Sequence, residues 1–275
     1  MCAHRIFKAS PFHKYPFKLI TGSNNRTLNL QFLSLSGQKG LAHAIFTRQG
    51  GVSRSPYDSL NTSFQNGDLP GNVGKNLRII SESIKAGRLF FMNQVHGRNI
   101  ILLRRNDHPP SPVSLPEADA LITDIPSTAI MVKQADCQGV IMYDPNMAVV
   151  AIAHCGWRGN ALDILGLVVD KMRSNFGCNP SDILAAIGPS LGPCCAEFKS
   201  YKTIFPEEFV KYMVREHYFD LWEISRSQLL EAGLRDDRIE ISGVCTKCNT
   251  DLFYSYRAEG ITGRFATVAM LRGNK

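Results

Sequence analysis

Short runs of apolar and β-branched residues recur along the chain and predict the strands of a central sheet. The run AVVAIAH at 148–154 is apolar almost throughout, which is typical of a strand buried on both faces. Similar runs predict strands at 41–47, 120–125, 128–133 and 139–143, and in the segments LFFMNQV, NIILL, ILAAIG, RIEISG and FATVAML.

Apolar residues at helical spacing predict helices between these strands. Residues 73–86 carry apolar side chains at such positions, and Gly87, a residue type that often ends a helix, follows them. A longer apolar face extends from Ala161 to Met172, and Gly177 fits its end. The segment GWRGN predicts the turn that leads into this second helix.

Two more helices are predicted towards the C-terminus. Pro206 suits the first turn of a helix over PEEFVKYMVREH. Asp220 followed by Glu223 resembles a capping box, and Gly233 fits the end of that helix. A mixture of strands and helices without a marked boundary predicts one α/β or α+β domain over residues 28–275.

The composition is that of an ordinary globular protein, with 44% hydrophobic and 20% charged residues in 275. Lysine and arginine exceed aspartate and glutamate by 31 − 24 = 7. Such an excess favours anionic partners such as phosphate and nucleotides. Residues 1–27 contain basic residues and no acidic one, and we interpret them as a basic N-terminal extension rather than an arm that binds nucleic acid or a membrane.

Several classes of protein do not fit the chain. It has no run of roughly 18 apolar residues that would predict a transmembrane helix, and its N-terminus lacks the apolar core of a secretory signal. The eight cysteines do not form the dense framework of a small secreted domain. We therefore expect a cytoplasmic protein with reduced thiols and without specific nucleic-acid or membrane partners, of open oligomeric state.

Three residues with soft metal-binding side chains stand at predicted strand ends: His96 in NQVHG, Cys137 in QADCQG and His154 in AHCGWRG. Two imidazoles and one thiolate suit Zn²⁺, and an open fourth position is typical of a catalytic zinc site. The separations of 41 and 17 residues are not those of a zinc finger. From spacing alone, three buried structural residues remain the alternative.

Longer motifs resemble the laccase-domain family, which is also called the polyphenol oxidase, peptidoglycan-editing-factor or purine nucleoside phosphorylase family. The resemblance runs in order from about residue 40 to residue 272. It rests on HAIFTRQGGVS, NQVHG, EADALIT, QADCQGVIMYD, VVAIAHCGWRGNALDIL, AAIGPSLGPCCAEF and CTKCNTDLFYSYRAEGITGRFATVAML.

This resemblance implies a layered α/β/β/α sandwich with mixed sheets in a single domain. It also implies zinc on His96, Cys137 and His154. The activities that it implies are phosphorolysis of adenosine, inosine, guanosine and S-methyl-5′-thioadenosine, and deamination of adenosine. Purine nucleosides and phosphate are therefore the expected small-molecule partners.

The chain departs from the family pattern at three positions near the metal motifs. Gln134 stands where threonine is usual, Gly139 replaces a frequent proline, and Cys155 stands where alanine is common. None of the three removes a predicted ligand. As a thiolate, however, Cys155 would compete with Cys137 for the metal.

Phosphorolysis requires phosphate to be held at ribose C1′, and arginine supplies a planar, permanently charged fork for it. Arg48 precedes Gly50-Gly51 and Arg158 lies between two glycines, so backbone amides can approach an anion beside either residue. We predict that Arg48 and Arg158 bind phosphate, with Arg48 also acting in catalysis. Structural salt bridges are the alternative.

Deamination requires an activated water and a group that moves protons. Asp136, next to Cys137, is a candidate for proton transfer, although orienting a histidine ligand is the role that we favour for it. Asn93 and Gln94 are predicted to bind the purine or the ribose, or else to cap a strand. Trp157 could stack on a base or pack under its loop.

Other readings of the same residues remain open. Cys137 as a nucleophile with His154 as its base would make a cysteine hydrolase, with a peptidoglycan precursor as its substrate. A true multicopper oxidase needs many histidines, often in H-x-H pairs, and this chain has seven histidines and no such pair. Cu²⁺ is nonetheless an alternative ion for a site of this kind, because copper binds such donors more tightly than zinc.

A scaffold protein that uses a metal only for stability is the remaining possibility, and four enclosing ligands would be its mark. The pair Cys245 and Cys248 and the segment GPCC at 192–195 receive no function from the sequence. Tyr254, Arg257 and Arg264 either line the site or brace it.

Overall fold

The computed structural model describes residues 15–22, 26–105 and 116–273. Two six-stranded mixed sheets pack face to face in it, and helices cover both outer faces. The layered α/β/β/α order and the single domain that the resemblance implies are confirmed. Among the described residues no helix is long and apolar enough to cross a membrane.

The first sheet is antiparallel except for its last pair, β4 and β7. In spatial order its strands are β1 (Phe17–Thr21), β2 (Leu28–Phe32), β3 (Leu41–Phe46), β14 (Phe265–Leu271), β7 (Thr128–Gln134) and β4 (Arg88–Phe90).

The second sheet has parallel pairs at both edges and antiparallel pairs between them. Its strands are β13 (Ile239–Ile241), β10 (Leu184–Ile187), β8 (Gln138–Asp144), β9 (Val149–Cys155), β6 (Ala120–Thr123) and β5 (Ile100–Leu103). A separate hairpin joins β11 (Met213–Arg215) to β12 (Tyr218–Phe219).

Seven α-helices connect or flank the strands in the described part of the chain. They are α1 (Leu33–Ser36), α2 (Pro70–Ser83), α3 (Trp157–Ala161), α4 (Ile164–Phe176), α5 (Tyr201–Ile204), α6 (Leu221–Glu231) and α7 (Tyr256–Glu259). Short 3₁₀ turns cover Pro180–Asp182, Glu207–Tyr212, Asp236–Arg238 and Thr246–Cys248.

Strand β14 shows why the central strands are apolar on both faces. Phe265 and Ala269 lie in the core between the two sheets, whereas Ala266 and Val268 pack on the outer side with α2. Strand β9 divides its residues in the same way between the inner core and α4. Burial of each large side chain contributes about 1.5–3 kcal/mol, so these continuous apolar runs hold the layers together.

The capping residues confirm two of the predicted helices. The Asp220 side chain accepts hydrogen bonds from the backbone N–H groups of Trp222 and Glu223 at 3.0 Å, which caps α6. Gly177 adopts a φ of 72° and ends α4, a conformation that favours glycine.

Three predictions from local pattern are wrong. The hairpin of β1 and β2 crosses the boundary predicted at residue 28, so the sheet begins inside the predicted extension, whose residues 1–14 and 23–25 lie outside the described residues. Helix α2 ends at Ser83 rather than at Gly87. The segment from Pro206 to His217 forms a 3₁₀ turn and the strand β11, because Phe209 packs into an aromatic cluster with Phe219 and the chain reverses at His217.

Candidate metal centre

The three predicted metal ligands meet at one edge of the sandwich. The donor atoms of His96, Cys137 and His154 all lie within 4.8 Å of one another. His154 is near the end of β9, and Cys137 immediately precedes β8, whose Gly139 pairs with His154. His96 comes from the loop between β4 and β5, with its ring edge-on to that of His154 at a centroid distance of 4.8 Å. Strand pairing therefore joins residues that are far apart in sequence.

A buried carboxylate that sequence reasoning missed organises this site. Asp119, directly before β6, accepts a hydrogen bond from the Nδ1 of His154 at 2.8 Å and from the backbone N–H groups of His96 and Gly97 at 3.0 and 2.6 Å. These bonds fix both histidines and leave the Nε2 of His154 for a metal. The motif EADALIT contained the signal, because an acidic residue directly before a buried apolar strand requires a partner.

The charges of the site oppose the effect of burial. Burial alone would raise the pKa of Cys137, but the neighbouring His154 and His96 lower it to about 6. Burial alone would lower the pKa of His154, but Cys137 and Asp119 raise it to about 9. The pair therefore favours a thiolate beside an imidazolium, and a thiolate is the form of cysteine that binds metals and acts as a nucleophile.

Backbone geometry lets the donors approach closely. A Cβ atom at Gly156 would lie 2.6 Å from the Sγ of Cys137, so only glycine fits there without displacement. His96 has a φ of 58° and Asp136 a φ of 85°, both in the left-handed region that few residues other than glycine adopt. Strained backbone of this kind is common at functional sites.

Asp136 holds the loop before Cys137. Its carboxylate accepts hydrogen bonds from the hydroxyl groups of Thr246 and Ser255, both at 2.7 Å, and from the backbone N–H of Arg257 at 2.6 Å. The predicted role of orienting a histidine ligand belongs to Asp119 instead. Three donors on the Asp136 carboxylate favour a bracing role over proton transfer.

Arg48 lies in a set of internal contacts rather than at the three donor atoms. Its guanidinium donates to the carbonyl oxygen of Thr250 and to the carboxylate of Glu259, both at 2.8 Å, and lies over the ring of Tyr254 at 4.5 Å. Tyr254 is itself fully buried and braces this region. These contacts favour the structural alternative for Arg48.

Arg158 is exposed and contacts the ring of Trp157 at 5.1 Å, without an ion pair to any described residue. Trp157 packs edge-on against Phe205, which favours packing over base stacking. Gln94 forms two hydrogen bonds with the backbone of Lys133, at 2.7 and 2.8 Å, and so acts as a strand-end cap.

The side chain of Asn93 accepts a hydrogen bond from Gln65 at 2.7 Å. Arg257 donates to the carbonyl oxygen of Glu197 at 2.8 Å and lies over the ring of Phe198. Its side chain therefore braces a neighbouring loop, while its backbone N–H holds Asp136.

Lys133 and Arg264 form a cationic pair next to the metal centre, and Lys133 was missed in the sequence. Lys133 on β7 pairs in register with Ala266, and Arg264 comes two residues before Ala266, directly before β14. Burial, and then the charge of Arg264, lower the pKa of Lys133 to about 8. Neither side chain forms an ion pair with a described carboxylate. Burial lowers the pKa of Arg264, and the charges of Cys137 and Asp136 oppose that shift.

The departures from the family pattern leave the three donors intact. Gln134 donates a hydrogen bond to Thr267, and a Cβ atom at Gly139 would lie 2.7 Å from its Nε2. The larger glutamine thus fits because residue 139 is glycine. Burial raises the pKa of Cys155, which packs towards α4 and lies outside the group of three donors.

The chain is similar to known proteins over most of its length. A purine nucleoside phosphorylase of Bacteroides thetaiotaomicron is 31% identical over 261 residues, which are 88% of this chain and 96% of that protein. Purine nucleoside phosphorylase YfiH of Escherichia coli is 32% identical over 242 residues, 85% of this chain and 95% of that protein. The crystal structure of YlmD from Geobacillus stearothermophilus superposes with a TM-score of 0.83 at 30% identity, over 94% of this chain and 100% of that one. Residues 42–272 match the family model described as multi-copper polyphenol oxidoreductase laccase, and the chain belongs to that family.

Proposed function

We propose that the chain is a zinc-dependent purine nucleoside phosphorylase that also deaminates adenosine. Adenosine, inosine, guanosine and S-methyl-5′-thioadenosine are the proposed nucleosides. The observation that carries the proposal is the convergence of His96, Cys137 and His154 within 4.8 Å, with no fourth metal-binding side chain in that group among the described residues. Three protein ligands are typical of catalytic zinc sites, whereas four are typical of structural ones.

The donor set fits Zn²⁺. Two imidazoles and a thiolate are ligands that zinc prefers, and Cu²⁺ is the alternative ion. Asp119 supplies the carboxylate that commonly orients a zinc-bound histidine. A bound zinc would act as a Lewis acid and lower the pKa of water to roughly 7, which is the chemistry that deamination needs.

We assign the binding of phosphate during phosphorolysis to cationic residues around the site. In this reaction a phosphate oxygen bonds to ribose C1′, the bond from C1′ to the purine breaks, and the purine takes up a proton. Lys133 is a buried cation and Arg264 a half-buried one, and neither forms an ion pair with a carboxylate of the described residues. A bound phosphate would relieve their mutual repulsion. Arg158, exposed beside the site, is a third candidate for phosphate binding.

This assignment is tested by the KM for phosphate. Arg264→Gln and Arg158→Gln should raise it, while Arg48→Gln should mainly reduce stability, because Arg48 already pairs with Glu259. If only Arg48→Gln raises the KM for phosphate, then Arg48 is the residue that binds phosphate.

The proposed activity is tested by metal analysis together with turnover of adenosine and phosphate. The wild-type protein should contain zinc at the His96 site and form adenine or inosine. Cys137→Ala should lose that zinc and the products, while Cys178→Ala, which removes a buried thiol outside the site, should keep both. Product formation that survives Cys137→Ala unchanged would contradict the proposal.

A second candidate is a cysteine hydrolase. The sequence of contacts from Cys137 to His154 to Asp119 is that of a nucleophile, a base and the carboxylate that orients the base. Alkylation by iodoacetamide separates the two functions. A Cys137 thiol that reacts fully in protein saturated with zinc would favour the hydrolase, and protection by zinc would favour the phosphorylase.

A further inference from the structure

The two cysteine pairs that the sequence left without a function meet in the structure. Cys194 and Cys195 lie in the turn after β10, and Cys245 and Cys248 flank the 3₁₀ turn Thr246–Cys248. The four sulfur atoms all lie within 4.8 Å of one another. The Sγ of Cys248 is 3.7 Å from that of Cys194 and 3.5 Å from that of Cys195.

These separations fit four ligands around one ion. Zinc–sulfur bonds of about 2.3 Å at tetrahedral angles place neighbouring sulfurs about 3.8 Å apart. Contacts between two thiols are common in protein cores, but mutual contact of four sulfurs from two separate turns is the donor arrangement of a closed zinc site. The C-x-x-C spacing at Cys245 and Cys248 is also one that zinc sites use.

The backbone holds the two turns together independently of the sulfurs. Ser190 donates its N–H to the carbonyl oxygen of Val244, and Thr246 donates back to Ser190 at 2.9 Å. The N–H of Cys248 donates to the carbonyl oxygen of Cys245 at 3.2 Å, which closes the C-x-x-C turn. These backbone hydrogen bonds hold the two turns together before an ion binds.

Cations stand beside the cluster. Lys247 lies near Cys195, and Arg215 donates to the carbonyl oxygen of Cys194 at 3.2 Å. Four thiolates around Zn²⁺ carry a net charge of −2, and these side chains offset part of it.

We propose that the reduced thiols of Cys194, Cys195, Cys245 and Cys248 bind a second Zn²⁺ in a closed, four-sulfur structural site. On binding, the four thiols release four protons to solvent and form four sulfur–zinc bonds. Cys248 takes part in a disulfide. Two electrons and two protons from a dithiol, which is itself oxidised to a disulfide, convert Cys248 to the form that binds.

This second site would brace the loop that carries the first. Thr246, inside the C-x-x-C turn, donates to the carboxylate of Asp136, and Leu191, just before the second turn, donates its N–H to the Asp136 carbonyl oxygen at 2.8 Å. Asp136 immediately precedes Cys137. A zinc that joins the two turns would therefore stabilise the position of Cys137 through Asp136.

The test is zinc content per chain in protein that is reduced by dithiothreitol, loaded with Zn²⁺ and freed of excess metal. The wild-type protein and Cys178→Ala should hold two ions, and Cys137→Ala and Cys245→Ser one each. X-ray absorption at the zinc edge of Cys137→Ala should show four sulfurs at about 2.3 Å, and this measurement leaves the cluster itself unaltered.

Two outcomes would overturn the second site: no zinc in reduced Cys137→Ala, or a remaining ion with nitrogen or oxygen ligands. Because zinc is counted apart from turnover, an inactive protein with two ions would refute the proposed phosphorylase and leave the four-sulfur site standing.

Discussion

Two buried histidines, one in the interior of the sandwich and one at its edge, have opposite electrostatics. His43 on β3 and His154 on β9 are each 4% exposed. Burial, and then the charges of Arg272 and Lys18, lower the pKa of His43 to about 4. At the edge, Cys137 and Asp119 outweigh burial and raise the pKa of His154 to about 9.

The difference shows what separates a structural residue from a candidate ligand. The Nε2 of His43 accepts a hydrogen bond from the backbone N–H of Phe32 at 2.9 Å, so the neutral ring completes the hydrogen bonding of a strand. The Nδ1 of His154 instead bonds to a buried carboxylate, and the ring lies beside the sulfur of Cys137. His43 and His154 are equally buried, so the opposite shifts of their pKa values come from the charged groups beside them.

The largest expected effect comes from exchanging each ring for an amide. His154→Gln should lower kcat/KM for phosphorolysis by well over about 100-fold, because loss of a ligand exceeds the effect of losing its outer partner. His43→Gln should leave kcat/KM near the wild-type value and reduce the free energy of unfolding. Equal losses of kcat/KM in His154→Gln and His43→Gln would show that the two histidines do not differ in function.

Acid should unfold the protein partly through His43. Its pKa is about 4 in the folded state and about 6.5 in the unfolded state, so the unfolded chain binds the proton first. The stability that the neutral ring contributes is complete above pH 6.5 and is lost as the pH falls to 4, by about 3 kcal/mol. Urea unfolding across this range should show the loss in the wild type and a shallower one in His43→Gln; identical pH profiles would contradict this account.

Asp119→Asn tests the carboxylate that bonds to His154 and has no counterpart at His43 among the described residues. Asparagine keeps the shape of the aspartate side chain but removes its negative charge. Its NH₂ group would also face the N–H donors that bond to the Asp119 carboxylate. We expect zinc affinity and activity to fall about 10- to 100-fold. Asp163→Asn is the matched control, because Asp163 caps α4 and asparagine caps equally well. Competition with a chelator measures the affinity, and an equal loss in the control would point to a general effect of charge.

The smallest expected effect concerns close packing at the edge. Gly156→Ala would bring a methyl group against the Sγ of Cys137 and should cost about 1–3 kcal/mol of stability and weaken zinc binding. Gly74→Ala, in α2 with open space around it, should instead stabilise the protein by roughly 1 kcal/mol. Thermal unfolding with and without zinc compares the two, and a harmless Gly156→Ala would show that the donors are loosely held.

The predicted strands and helices differ in how well local pattern determined them. The runs that became β9 and β14 were recognisable because strands buried on both faces need apolar residues at every position. The segment after Pro206 was not, because its aromatic residues fit a helix and a turn equally well. Only the cluster around Phe219 decides between them.

By itself, the sequence predicted the strands and helices through its apolar runs. The motifs that resemble the laccase-domain family implied the layered fold and the three candidate donors His96, Cys137 and His154. The tertiary structure alone decided their distances and charges and the partnership with Asp119, which comes from 35 residues earlier than His154. The physical reason is that periodicity records which residues are buried. The pKa and the role of a buried polar group depend on the partners that distant strands bring to it.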